Sequence, residues 1–265
     1  MDIHEKLRQL DTLYETKQLK NAEELINQWL KTALENNDLK TALTLYNEAE
    51  GLYRTTGRAA LAASTGEKAL QLIDRMNLRG TSFHATTVLN TATAYQVAGE
   101  NQKALDMFQN AENIFELLSM QYSYQAASLY NNISHVYQNL NRHEEALVYL
   151  EKAMRIISSM PDSAGEIATT QVGMAVSLTA LNRIDKAEKQ LALALNYYQS
   201  KEGRNDGHYG SALCAAGDIQ YSLKDYEQAA HYYKQALDAT YERFGKSHGY
   251  DIIKEKLENI TKKAE

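Results

Sequence analysis

The chain is poor in nearly everything that interrupts a helix. One proline, Pro161, and 13 glycines stand in 265 residues. An all-β domain needs far more turn punctuation than that. Cys214 is the only cysteine, so no disulfide can close within one chain, and a reducing cytoplasm is the expected location. There is no run of about 18 apolar residues, so no membrane-spanning helix is expected. The start, MDIHEKLRQLD, lacks the apolar centre of a signal peptide. A basic excess is missing too: 28 Lys and Arg face 34 Asp and Glu, a net charge of −6. A general nucleic-acid binder needs the opposite sign to neutralise phosphates, so none is expected as a partner.

What is present is helical. Ala, Leu, Gln, Glu and Lys recur throughout, and 44% of residues are hydrophobic, enough for a sizeable core. The length suits two domains or one extended array. Four segments align: NQKALDMFQNA, HEEALVYLEKA, IDKAEKQLALA and YEQAAHYYKQA. Their leading alanines are Ala104, Ala146, Ala187 and Ala229, in steps of 42, 41 and 42 residues. A second alanine follows at 111, 153, 194 and 236, with Phe108, Leu150, Leu191 and Tyr233 between. These positions share one helical face, where small residues admit a neighbouring helix and the large one fills the groove. Further back, Ala62, Gly66 and Ala69 fit with a small residue in the large place, and Ala22, Ile26 and Trp29 fit loosely. A second helix precedes each of these, marked by Ala92, Ser134, Ala175 or Gly217, and a turn joins the two.

The pattern resembles the tetratricopeptide repeat, and in its length the 42-residue kinesin light chain subgroup. LYNNISHVYQNLNRHEEALVYLEKA, with its paired asparagines, carries the likeness, as does ALDATYERFGKSHGYDIIKEKLENI. The resemblance implies an all-α fold: a right-handed α-solenoid of about six helical hairpins plus a C-terminal capping helix. One domain over 1–265 is expected, with repeats near 3–37, 39–78, 81–120, 123–161, 165–201 and 207–245. Tyr250, Ile253, Leu257 and Ile260 give residues 247–263 the apolar face of the cap.

Proteins of this kind bind partners along the first helix of each hairpin, and that implies a surface here. Eighteen residues before the leading alanine stand Thr44, Thr86, Ser128, Thr169 and Ser211. Fourteen before stand Glu48, Asn90, Asn132, Gly173 and Ala215; eleven before stand Gly51, Thr93, His135, Val176 and Asp218. Thr44, Thr86, Asn90, Thr93, Ser128, Asn132, His135, Thr169 and Ser211 are therefore the expected peptide-binding groove. An asparagine amide offers both donors and an acceptor, and can hold the backbone of an extended peptide. Asn131 lies about 100° off that rung and is expected to order the stack instead. Tyr53, Tyr95 and Tyr137 follow the period and read as core; Tyr122, Tyr124, Tyr209 and Tyr221 break it and could line a pocket. The basic rungs of a carboxylate clamp are absent from the matching positions of hairpins two to six; only Arg8 in the first is available.

Signals for chemistry fail. GKS at 245–247 has Thr240 where a P-loop needs glycine, and EGRNDGHYG has the wrong glycine spacing for a dinucleotide loop. No HExxH occurs, and the seven histidines are scattered; His135 and His208 are the two expected to face the groove. Cys214 reads as a small core residue. No catalytic residue, metal site or cofactor is expected. The expected role is a scaffold for a protein or peptide partner. The alternatives are a peptide-sensing array or the regulatory subunit of a separate bacterial enzyme; the sensors of similar build usually carry a DNA-binding helix-turn-helix head or an N-terminal three-helix bundle, and neither is expected in this stretch because the first hairpin begins near residue 3. A homo-oligomer is a rival use of the groove.

Overall fold

The computed structural model describes residues 2–264, and side chains through residue 260. Among these there is no strand. Thirteen α-helices follow one another: α1 Ile3–Glu15, α2 Leu19–Glu35, α3 Leu39–Thr55, α4 Ala59–Arg75, α5 Ser82–Val97, α6 Asn101–Leu117, α7 Tyr124–Asn139, α8 His143–Ile157, α9 Ala164–Ala180, α10 Ile184–Tyr198, α11 Tyr209–Ser222, α12 Tyr226–Phe244 and α13 His248–Ala264. A single 3-10 turn, Gly203–Asn205, precedes α11. The chain forms two compact units, residues 1–121 and 122–265.

In both units the repeating alanines are the helix contacts. Ala62, Ala69, Ala104 and Ala111 of the first unit are fully buried, as are Ala146, Ala153, Ala187, Ala194, Ala229 and Ala236 of the second. The large residue between them fills the space this leaves: Phe108 is fully buried, and Leu150, Leu191 and Tyr233 are nearly so. Truncating Phe108 to alanine would cost about 3–5 kcal/mol. Gly66, the exception in the pattern, has a physical reason. A β-carbon there would collide with Glu50 and Thr91, so the volume of the missing side chain is occupied by two polar ones from α3 and α5.

The turns need neither proline nor many glycines. After most helices one residue takes a left-handed backbone: Lys17, Asn37, Gly57, Asn77, Gly99, Ser119, Asn141, Asn182 and Lys224. The next amide then bonds five residues back, as in Gln18 N to Leu13 O at 2.8 Å and Arg142 N to Tyr137 O at 2.8 Å. This closes carbonyls that the helix end leaves unpaired. Within the hairpins the residue that makes this bond begins the next helix, so the turns are tight. Asp225 within a hairpin and Asp38 between two of them do both jobs, their carboxylates accepting from Gln228 N and Thr41 N at 3.1 Å each. Cations at the start of the second helices lie over the tyrosines that follow the repeat: Arg58 over Tyr53, Lys103 over Tyr95, Arg142 over Tyr137.

In the second unit α13 packs as the sequence leads one to expect. Ile253 and Ile260 are buried against Leu213, Ala229, Tyr233 and Ala236, with Leu257 partly buried beside them. Lys256 of α13 donates to both oxygens of Asp218 at 2.6 and 2.7 Å, and the Tyr233 hydroxyl donates to the same carboxylate at 2.6 Å. Cys214 is part-buried against this cluster, its thiol pushed up to about 11 by burial.

Candidate functional site

The first helices line up within each unit, and the expected groove residues fall on them. In the first unit Asn90 Nδ2 donates to Asn47 Oδ1 at 3.4 Å, joining α5 to α3. Thr44 and Thr93 turn their hydroxyls back to the carbonyls of Lys40 and Leu89, and Thr86 is exposed.

In the second unit these positions surround a cavity of about 440 Å³. Ser128, Asn132 and His135 of α7 and Thr169 of α9 all line it; Ser211, exposed on α11, does not. The periodicity explains the convergence. Ser128, Asn132 and His135 are four and three residues apart, one helical face, and Thr169 occupies the matching place one hairpin later. Asn131 also borders the space, but its amide donates to Thr170 Oγ1 on α9 at 3.1 Å, tying one first helix to the next. Thr170 itself is fully buried.

The rest of the lining comes from places the repeat does not mark. Tyr124 opens α7, and its hydroxyl donates to Glu166 Oε1 on α9 at 3.0 Å. Asp162 lies in the α8–α9 loop, and Tyr197 stands in the last turn of α10. Asp206, Gly207 and His208 belong to the loop over 199–208, which leads into α11. Asp206 Oδ1 accepts from His208 N at 2.8 Å and lies 3.0 Å from His208 Nδ1; Tyr197 hydrogen-bonds the same carboxylate. Two glycines make this packing possible. A β-carbon on Gly203 would strike the Tyr197 carbonyl, and one on Gly165 would stand 3.1 Å from the Tyr197 hydroxyl and 3.3 Å from Asp206 Oδ2.

The electrostatics follow from the shape. His135 is in contact with solvent yet stands inside the cavity, where the protein displaces water. That desolvation holds its pKa below the ordinary histidine value; a bond to Gln138 works against the shift, and His208 adds to it. Gln138 Nε2 is engaged with Gly173 O at 2.9 Å and Ser177 Oγ at 2.8 Å, so its Oε1 faces His135 Nδ1 at 3.0 Å. The Tyr124 phenol is raised by burial and then by Glu166, and that of Tyr197 by burial and then by Asp206, Glu202 and Glu166. Among the described residues no group of His, Cys, Asp and Glu is arranged to hold a metal ion, and no helix is long and apolar enough to cross a membrane.

Of the pocket candidates among the aperiodic tyrosines, Tyr124 lines this cavity. Tyr209 borders a second one of about 570 Å³, with Leu195, Arg204 and His231. Glu166, Tyr197 and Asp206 escaped the sequence reading. The signal was there in EGRNDGHYG, whose glycines serve a loop that folds back on the first helices.

Comparison with known proteins agrees with the fold. No curated protein matches the chain. Several solved structures share its fold. NprR in complex with its cognate peptide NprX is 17% identical, with a TM-score of 0.73 over 98% of this chain and 71% of that one. A Rap protein complexed with Competence and Sporulation Factor is 19% identical, with a TM-score of 0.67 over 91% of this chain and 66% of that one. BtubC (BKLC) from P. vanneervenii is 17% identical, with a TM-score of 0.62 over 87% and 90%. At such identities the likeness is one of fold. The tetratricopeptide repeat model matches residues 83–159 and 166–242, more than half of the sequence. The chain therefore belongs to the tetratricopeptide repeat family.

Proposed function

We propose that this protein is an interaction scaffold without chemistry of its own, and that it holds an extended peptide or partner segment against its first helices. The observation that carries this is the cavity of the second unit, where Ser128, Asn132, His135 and Thr169 meet from two successive hairpins. Its volume of about 440 Å³ lies inside the roughly 300–1,000 Å³ of ligand pockets. The amide and hydroxyls on its wall suit main-chain N–H and C=O groups, whatever the peptide sequence. NprR, similar in fold, is known with a cognate peptide, which supports the same use here. In the first unit Thr44, Thr86, Asn90 and Thr93 are proposed to offer the same kind of rung.

The test is a peptide selected on the protein from a random display library, measured by fluorescence anisotropy. Asn132→Ala should weaken it about tenfold, since one well-placed amide makes two bonds of about 0.5–1.5 kcal/mol each. Helicity and melting should hardly change. Unaltered affinity in Asn132→Ala would sink the proposal for this cavity.

A further inference from the structure

Resting on the peptide reading, we infer that the cavity of the second unit selects a basic group: a lysine or arginine side chain, or the free amino terminus of a peptide. Asp162, Glu166 and Asp206 stand around it, and its lining contains no lysine or arginine to neutralise them. The three carboxylates come from a loop, the first turn of α9 and the 199–208 loop. The fold brings them together; no acidic run of sequence does so.

Two of the three are held in place. Tyr124 donates to Glu166, while His208 and Tyr197 bond Asp206. Gly165 lets Asp206 and Tyr197 close over the start of α9, where any side chain would crowd them. A carboxylate has room for about four hydrogen bonds, so these contacts orient the oxygens and leave capacity for a ligand. Burial first, and then the neighbouring carboxylates, raise the phenols of Tyr124 and Tyr197. Fixed charge in a concavity, where water is partly displaced, attracts a counter-charge more strongly than the same charge on a flat surface.

The kind of cation follows from the spacing. No set of three donors is arranged for a metal ion among the described residues. The carboxylates are spread around a space of about 440 Å³, so the fitting ligand reaches several of them with separate N–H groups, as an ammonium or guanidinium does. The neighbouring Asn132, Ser128 and Thr169 would then hold the flanking backbone. A terminal carboxylate or an acidic side chain is repelled.

Random octapeptides displayed on phage, selected on the whole protein, test this. Enriched sequences should carry lysine or arginine at one position, or bind only with a free amino terminus. Acetylating the lysine or the terminus tells the two sources apart. Affinity should fall about tenfold or more in Asp206→Asn and in Glu166→Gln, which keep the shape and remove the charge. Glu166→Lys should turn the selection towards Asp and Glu; if that variant does not fold by circular dichroism, the two isosteric variants decide. Neutral or acidic peptides that bind both isosteric variants as wild type overturn the inference. They leave the peptide reading standing if Asn132→Ala still weakens them. A library that yields no binder overturns both.

Discussion

The two units spend their carboxylates in opposite ways. In the first, Glu50 is fully buried between α3, α4 and α5, in the space that Gly66 vacates. Burial pushes its carboxyl up to about 8, with Arg54 and Thr91 pulling the other way. In the second unit the large residues are all in place, the interior is apolar around Leu150, Leu191 and Tyr198, and Asp162, Glu166 and Asp206 stand around an open cavity. The deciding difference lies in one loop. The connections at 76–81, 118–123 and 158–163 are short, whereas 199–208 is long enough to carry a 3-10 turn and to bring Asp206 and His208 to the first-helix face. A helical stack has little freedom to place charge around a cavity; a longer connection between hairpins supplies it.

Replacing residues 199–208 by the six of 158–163 should erase this difference. Helicity should survive. Binding of basic peptides should drop about a hundredfold, because Asp206 leaves together with His208, which holds it, each charge-assisted bond being worth about 1.5–3 kcal/mol. Titration by calorimetry checks it, and retained affinity would show that the loop is only a connector.

The interior of the first unit should answer to pH with the opposite chemistry. Glu50 has a folded pKa above its unfolded value of 4.5. Its contribution is therefore fully present below pH 4.5 and is lost as pH rises towards about 8. Glu50→Gln should flatten that decline, so that the melting temperature of the variant changes less than that of wild type between pH 5 and pH 8. Parallel curves would mean that Arg54 already holds Glu50 ionised.

The smallest effect concerns His135. Its pKa is lowered, so the ring is neutral at pH 7 and gains charge only as pH falls below the ordinary histidine range. A protonated ring repels a basic ligand. Wild type should lose about threefold in affinity for a basic peptide between pH 7 and pH 5.5, an effect of the order of 1 kcal/mol between screened charges. His135→Asn should lose less. His208, Asp162, Glu166 and Asp206 line the same space, and protonating any of them acts in the same direction, so the comparison with the variant isolates the one ring.

The stack was legible because a period of 42 residues fixes which side of each helix meets its neighbour. Asn131 and Asn132 are adjacent in sequence, and the 100° between them separates a stack contact to Thr170 from a place on the cavity wall. Ser128, His135 and Thr169 followed from the same arithmetic. His208 was expected at the groove and lines the cavity, but Asp206 was not foreseen, since a loop has no period and its glycines say only that the chain turns. Ser211 had the right register and lies outside the cavity, because register places a residue on a helix face and cannot say what stands opposite. Glu50 left one trace, a glycine where a large side chain recurs elsewhere, and sequence alone does not reveal what fills such a gap.

The left-handed turn residue carries a consequence for how such a chain can grow. Asn, Lys, Ser and Gly all occupy it here, and the bond that closes it lies wholly within its own helix end. Each hairpin thus brings its own start and stop. A duplicated stretch of 42 residues could enter the gene in frame without any other turn having to adapt, and later divergence would have to touch only the connection that gives the new copy its ligand.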